Sequence, residues 1–251
     1  SVLNQSHQNF ELIVVDDCSS DASPQILQRL AEENENLLVE VSPINRGGTA
    51  TFCSMLSKVT ADYVMFLDAD DRWCSPDVVE TLVTYLETTG ELAVTSHNTT
   101  EDSASTCVPD QRTISLRQFA AGYRFPMGGT AIRLNDELVR RWNDSIPGVT
   151  RHQSDLTICL SALAPMPLMQ LPITTLVYNI RDADTESNYN SITDESSKIL
   201  DRLRIAWRNL EFYWHRPSYY ILFVRIIMRL LLIPAHKNRM SLKIINFIKS
   251  S

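Results

Sequence analysis

The chain has 251 residues, 44% of them apolar and 21% charged, an ordinary balance for a globular protein and ample for one large core. A net charge of −7, with the basic residues mixed among aliphatic ones, argues against a nucleic-acid binder. Five scattered cysteines with no C-x-x-C pair argue against a disulfide framework or a zinc site, and for reduced thiols in a cytosolic compartment.

The amino end does not read as a signal peptide. Residues 1–6 read as the end of a helix, so a preceding segment with its own strand is expected. Residues 10–15 (FELIVV) predict a strand closed by Asp16 and Asp17. Ser23 as N-cap and Pro24 at the first helical position predict a helix over about residues 23–33. Residues 37–41 predict the next strand, residues 45–48 (NRGG) a turn, and residues 49–59 an apolar helix. Residues 63–73 (YVMFLDADDRW) begin as a buried strand and end in Asp68, Asp70 and Asp71. A helix over residues 76–88, opened by Pro76 and Asp77, and a strand over residues 92–96 follow. This alternation of strand and helix predicts an α/β layer with a largely parallel sheet.

Beyond residue 99 the pattern loosens into a polar stretch, up to residue 111. Residues 125–129 (FPMGG) predict a turn that leads into a short strand. Asp155 opens an apolar helix over residues 156–164, and residues 171–178 read as a closing strand. The polar stretch 182–196 reads as a linker.

In open α/β sheets ligands bind beyond the carboxyl ends of the strands, which is where both acidic clusters fall. Burying acids beside an apolar strand is costly unless something positive neutralises them. A divalent cation such as Mg²⁺ or Mn²⁺, held by one or two carboxylates plus substrate phosphates, meets that need. A D-x-D triplet alone also fits a solvated loop that caps the next helix.

Three stretches, residues 10–21 (FELIVVDDCSSD), 44–50 (INRGGTA) and 61–77 (ADYVMFLDADDRWCSPD), resemble in order and spacing the nucleotide-binding half of family 2 glycosyltransferases. The resemblance runs from Ser1 to about Arg181. It implies a GT-A, Rossmann-like fold: a mixed, mostly parallel sheet flanked by helices, followed by a C-terminal helical appendage. The domains expected are a catalytic domain over 1–181, lacking its N-terminal strand, and a linker with a basic amphipathic tail over 182–251.

The resemblance also implies roles. Asp16 and Asp17 lie at the nucleotide, with Asp17 accepting a hydrogen bond from the base. Arg46 approaches base or phosphate. Asp68 contacts ribose, sugar and metal, Asp70 is the direct ligand of Mg²⁺ or Mn²⁺, and Gly128 and Gly129 lie under the acceptor sugar. Asp155, in the segment RHQSDLTICL, stands where relatives place the general base, and His152 is a weaker alternative. The sequence departs from the family at Cys18, where a glycine is usual, and after Tyr178, where no histidine follows.

The activity implied is inverting, metal-dependent transfer of a sugar from a nucleoside diphosphate-sugar to a hydroxyl of a glycan or lipid-linked acceptor in cell-surface polysaccharide synthesis. A degenerate nucleotide-sugar-binding module and a sugar-phosphate nucleotidyltransferase are the alternatives. All 30 acidic residues lie at or before Glu211, and seven Lys or Arg and no acid follow. Residues 212–251 therefore predict an interfacial helix on anionic lipid, or one packed on protein, and a peripheral place on the inner face of the cytoplasmic membrane.

Overall fold

The computed structural model describes residues 1–100, 110–115, 125–145 and 168–179, together with Tyr220 and Val224. The chain divides into two compact units, Ser1–Ile180 and Arg181–Ser251. The expected base Asp155, with His152, and the expected tail helices lie outside the described residues, apart from Tyr220 and Val224, which are helical. No helix among the described residues is long and apolar enough to cross a membrane.

The first unit opens with β1 (Leu12–Asp16), α1 (Ser23–Glu33) and β2 (Leu37–Val41). The two strands pair in parallel, with Asp16 opposite Val41. Helix α1 departs from expectation at its start: Ala22, not Ser23, is the N-cap and gives no side-chain cap, while Asp21 Oδ1 accepts the Ser23 N–H at 2.9 Å. Helix α2 (Gly48–Leu56) and strand β3 (Tyr63–Met65) follow.

A second sheet runs β3–β7–β5–β8–β4, with β6 also paired to β8. Its strands are β4 (Arg72–Trp73), β5 (Ala93–Thr100), β6 (Arg112–Ile114), β7 (Thr130–Arg133) and β8 (Leu168–Tyr178). Helix α3 (Val78–Thr89) lies between β4 and β5, and α4 (Asp136–Ser145) follows β7. Strands β5 and β8 are parallel, whereas β7 runs antiparallel to both β3 and β5, and β4 and β6 run antiparallel to β8. The sheet is therefore mixed. β7 brings the antiparallel sense into its middle, between β3 and β5.

The core forms where α3 packs on this sheet. Val78, Val79, Leu82, Val83 and Leu86 bury one helical face against Trp73, Val94, Ala131, Leu171 and Leu176. Fully burying one such side chain is worth about 1.5–3 kcal/mol relative to exposure, so this contact anchors the unit. Gly90 ends α3 in the left-handed region at φ 70° and donates its N–H to Leu86 O.

Residues 1–6 are not helical. Their polar groups are instead engaged on the segment before α3. Gln5 is almost wholly buried: Nε2 donates to Ser1 O and Ser75 O, and Oε1 accepts the Val79 N–H at 3.0 Å. Asp77 does stand at the N-cap of α3, but its side chain makes no capping bond. Gln5, 74 positions away, satisfies one of the amides that a capping side chain would.

Candidate functional site

The first acidic cluster closes β1. Asp16 is buried, 6% exposed, and its Oδ1 accepts the Ser19 N–H at 2.8 Å, which shapes the turn after the strand. Asp17 Oδ1 accepts the Arg46 N–H at 2.7 Å and Oδ2 the Gly47 N–H at 2.6 Å. Asn45 Nδ2 in turn donates to Asp17 O at 3.2 Å. Asp17 thus holds the turn that precedes α2. Each of its oxygens has a further lone pair with which to accept from a ligand.

Between these residues Cys18 takes φ 70°. That is the left-handed region where glycine is usual and a Cβ costs about 1–2 kcal/mol. The departure read from the sequence is therefore a strained backbone position.

The Arg46 side chain turns away from Asp17. One guanidinium nitrogen meets Glu40 Oε1 at 2.7 Å, while Lys58 Nζ and Ser54 Oγ reach Glu40 Oε2 at 3.1 and 2.9 Å. Lys58, then Ser54 and then Arg46 draw the Glu40 carboxyl down to about 2. Glu40 escaped the sequence reading. Its one signal was a charged residue inside the apolar strand LLVEV.

The second cluster follows β3. The Asp71 N–H closes a turn onto Asp68 O at 3.0 Å, and Asp71 Oδ1 accepts the Asn179 N–H at the end of β8, also at 3.0 Å. Burial raises the Asp71 carboxyl, and the charges of Asp68 and Asp70 add to that rise despite the Asn179 bond. Tyr178 is likewise held protonated, first by burial and then by Asp71, Asp70 and Asp68. These acids and the Tyr178 phenol therefore share one negative field at the end of β8.

A field of this kind fits a hard divalent cation held by Asp70 and Asp68 and completed by phosphate oxygens. Among the described residues no three His, Cys, Asp or Glu gather as a metal cluster. Asp71 ties the acidic loop to the end of β8.

Gly128 and Gly129 form a buried 3-10 turn, Met127–Gly129, that enters β7. A Cβ on Gly128 would lie 2.9 Å from Leu176 Cδ1, and one on Gly129 would overlap Ser96 Oγ and approach Thr175 Oγ1 at 3.0 Å. The glycines are required here by the packing of the sheet beneath them. Trp73 Nε1 donates to Gly128 O at 2.6 Å and ties this turn to the strand that follows the acids.

A stretch of 73 residues is 41% identical to TuaG of Bacillus subtilis (strain 168), a glycosyltransferase provisionally assigned to teichuronic acid biosynthesis. The match spans 29% of this chain and 29% of TuaG, less than a third of that relative's length. The structure of S. aureus TarS 1–349 in complex with UDP-GlcNAc superposes with a TM-score of 0.67 at 16% identity, over 93% of this chain and 68% of that one. The mannosyltransferase PcManGT from Pyrobaculum calidifontis, in complex with GDP-Man and Mn²⁺, gives 0.53 at 15% identity, over 100% of this chain and 74% of that one. At such identities the likeness is one of fold, and it agrees with the GT-A class expected from the motifs. The model of "Glycosyl transferase family 2" matches residues 1–147, more than half of the sequence, and the chain belongs to that family.

Proposed function

We propose that the chain transfers a sugar, with inversion, from a nucleoside diphosphate-sugar to a hydroxyl of a glycan or lipid-linked acceptor in cell-surface polysaccharide synthesis. The observation that carries this reading is the acidic loop after β3, which the Asp71 N–H closes onto Asp68 O and Asp71 Oδ1 ties to Asn179 at the end of β8. Asp70 and Asp68 hold Mg²⁺ or Mn²⁺, which when bound offsets the charge that develops on the departing diphosphate. Asp17 and Asp16 shape the nucleotide end of the site, and Arg46 contributes its backbone to the turn that Asp17 holds.

Asp155 takes the proton from the acceptor hydroxyl. The oxygen so freed bonds to the anomeric carbon from the face opposite the diphosphate as the bond to the diphosphate breaks. Gly128 and Gly129 lie beneath the acceptor. Residues 212–251, basic and apolar by turns, seat the enzyme peripherally on anionic lipid at the inner face of the cytoplasmic membrane, where a lipid-linked acceptor is at hand. The glycosyltransferase name of TuaG, the mannosyltransferase name of PcManGT, and the nucleotide-sugars in the TarS and PcManGT structures support the reading of a nucleotide-sugar donor.

Calorimetric titration of the protein with UDP, GDP and dTDP, with and without Mn²⁺, tests the donor site. Metal-dependent binding of one nucleotide, lost in Asp70→Ala, is expected; no binding under any condition overturns the proposal. With a donor in hand, Asp155→Asn should lower turnover by about 10²–10⁴-fold while donor affinity stays unchanged. Binding with no turnover in the unaltered protein would leave a nucleotide-sugar-binding module.

A further inference from the structure

Side chains from three strands bond carbonyls in and just before the Met127–Gly129 turn. Thr130 Oγ1 donates to Pro126 O at 2.7 Å, Ser96 Oγ to Gly129 O at 3.1 Å, and Trp73 Nε1 to Gly128 O at 2.6 Å. Two of these three grips come from strands that flank the turn, β7 and β5. The third comes from β4, only two residues after Asp71.

The opposite end of the acidic loop reaches the same turn. Leu67, which immediately precedes Asp68, brings Cδ1 to 3.4 Å of the position a Gly128 Cβ would occupy. Leu176 of β8 fills the rest of that space, and it is the register partner of Trp73. Gly128 is therefore in touch with residues on both sides of Asp68, Asp70 and Asp71. Trp73 is 7% exposed and its bond to Gly128 is buried, away from competition by bulk water. The Trp73 backbone is itself fixed: its N–H meets Ser1 Oγ at 3.3 Å, and the next N–H, of Cys74, meets Thr175 O at 2.9 Å.

We propose that Trp73 is a positioning residue whose indole N–H on the Gly128 carbonyl locks the Met127–Gly129 turn to the acidic loop, so that the carboxylates of Asp68 and Asp70 and the turn move as one body. The proposal rests on the donor-site reading for its effect on turnover, and on the hydrogen bond alone for its effect on the turn. A clamp of this kind sets the angle at which the carboxylates meet a metal-bound diphosphate. It acts on the geometry of transfer more than on nucleotide affinity, because the residues at the nucleotide end lie on β1 and the turn before α2.

Trp73→Phe keeps a buried aromatic ring and removes the donor. Hydrogen exchange at the amides of Gly129 and Thr130 should quicken about tenfold, the size expected for one lost bond to a buried carbonyl. In the same variant, Mn²⁺-dependent UDP or GDP affinity should stay within about threefold of the unaltered protein, while kcat with the donor falls about tenfold. Val83→Ala, a cavity in the core under α3, is the comparison: it should lower thermal stability without quickening exchange in the turn or splitting kcat from affinity. Exchange in Trp73→Phe equal to that of the unaltered protein overturns the clamp, as does an equal change in Val83→Ala. Should the unaltered protein bind no nucleotide, the donor-site reading falls, and the exchange comparison still decides the clamp by itself.

Discussion

Asp17 Oδ2 accepts the N–H of Gly47, 30 positions along the chain, at 2.6 Å. With Oδ1 on the Arg46 N–H, one carboxylate satisfies two amides that open the turn before α2. This is the work of a capping residue, performed from the end of another strand. A charged acceptor on two amides also forms stronger bonds than a neutral one.

Asp17→Asn would offer one oxygen to two N–H donors and point its own NH₂ at the other. A loss of about 2 kcal/mol in urea unfolding is expected, together with weaker nucleotide binding as the turn loosens. Unchanged unfolding would mean that the turn holds itself.

Cys18 sits at φ 70° with its thiol 3.6 Å from Pro43 O, a weak contact. Cys18→Gly relieves the left-handed strain but adds chain entropy to the unfolded state. The two effects oppose each other, with a net gain of up to about 1 kcal/mol. Thermal unfolding checks the sign, and a clear drop in Tm would refute strain at this residue.

Gly128 and Gly129 should respond differently to alanine. A Cβ on Gly129 meets Ser96 Oγ, a side chain already committed to Gly129 O, and Thr175 Oγ1. A Cβ on Gly128 meets the methyl end of Leu176, which can rotate aside. Losses of about 3 kcal/mol for Gly129→Ala and about 1 kcal/mol for Gly128→Ala are expected. The reverse order in chemical denaturation would contradict the packing described.

Glu40, bound by Lys58, Ser54 and Arg46, carries a folded-state pKa drawn from 4.5 down to about 2. The unfolded chain therefore binds this proton more tightly than the folded one. The stability that Glu40 contributes is present in full above 4.5 and is lost as pH falls toward 2. The Tm difference between the unaltered protein and Glu40→Gln should shrink through that window. It should also shrink with added salt, since the pairs are solvent-facing and ions screen them over about 8 Å at physiological strength. A difference constant in both pH and salt would rule out this electrostatic account.

Much of the fold was legible because its signals are local. An apolar run that ends in acids marks a strand and its carboxyl end, and that pattern at residues 10–17 and 63–71 located both acidic clusters. Proline near the start of α1 marked a helix boundary for a reason internal to the residue, its fixed φ. Position along the chain was enough to order the motifs and so to point to the family.

Tertiary structure alone decided which groups those residues meet. Residues 1–6, read as a helix end, instead give Gln5 to the start of α3, since a buried amide side chain can satisfy two backbone groups that lie far off in sequence, Ser75 O and the Val79 N–H. The two-residue strand β4 exists only because β8 lies alongside it. The Arg46 guanidinium meets Glu40, a partner on β2 that nothing in NRGG signals. FPMGG signals a turn at Gly128 and Gly129 but not what packs against them. The space their missing side chains leave is taken from below by Leu176, Ser96 and Thr175. Sequence determines which atoms can donate, accept or bend. Which of them come within 3 Å of one another depends on strand register and packing between distant segments, and those are properties of the folded chain.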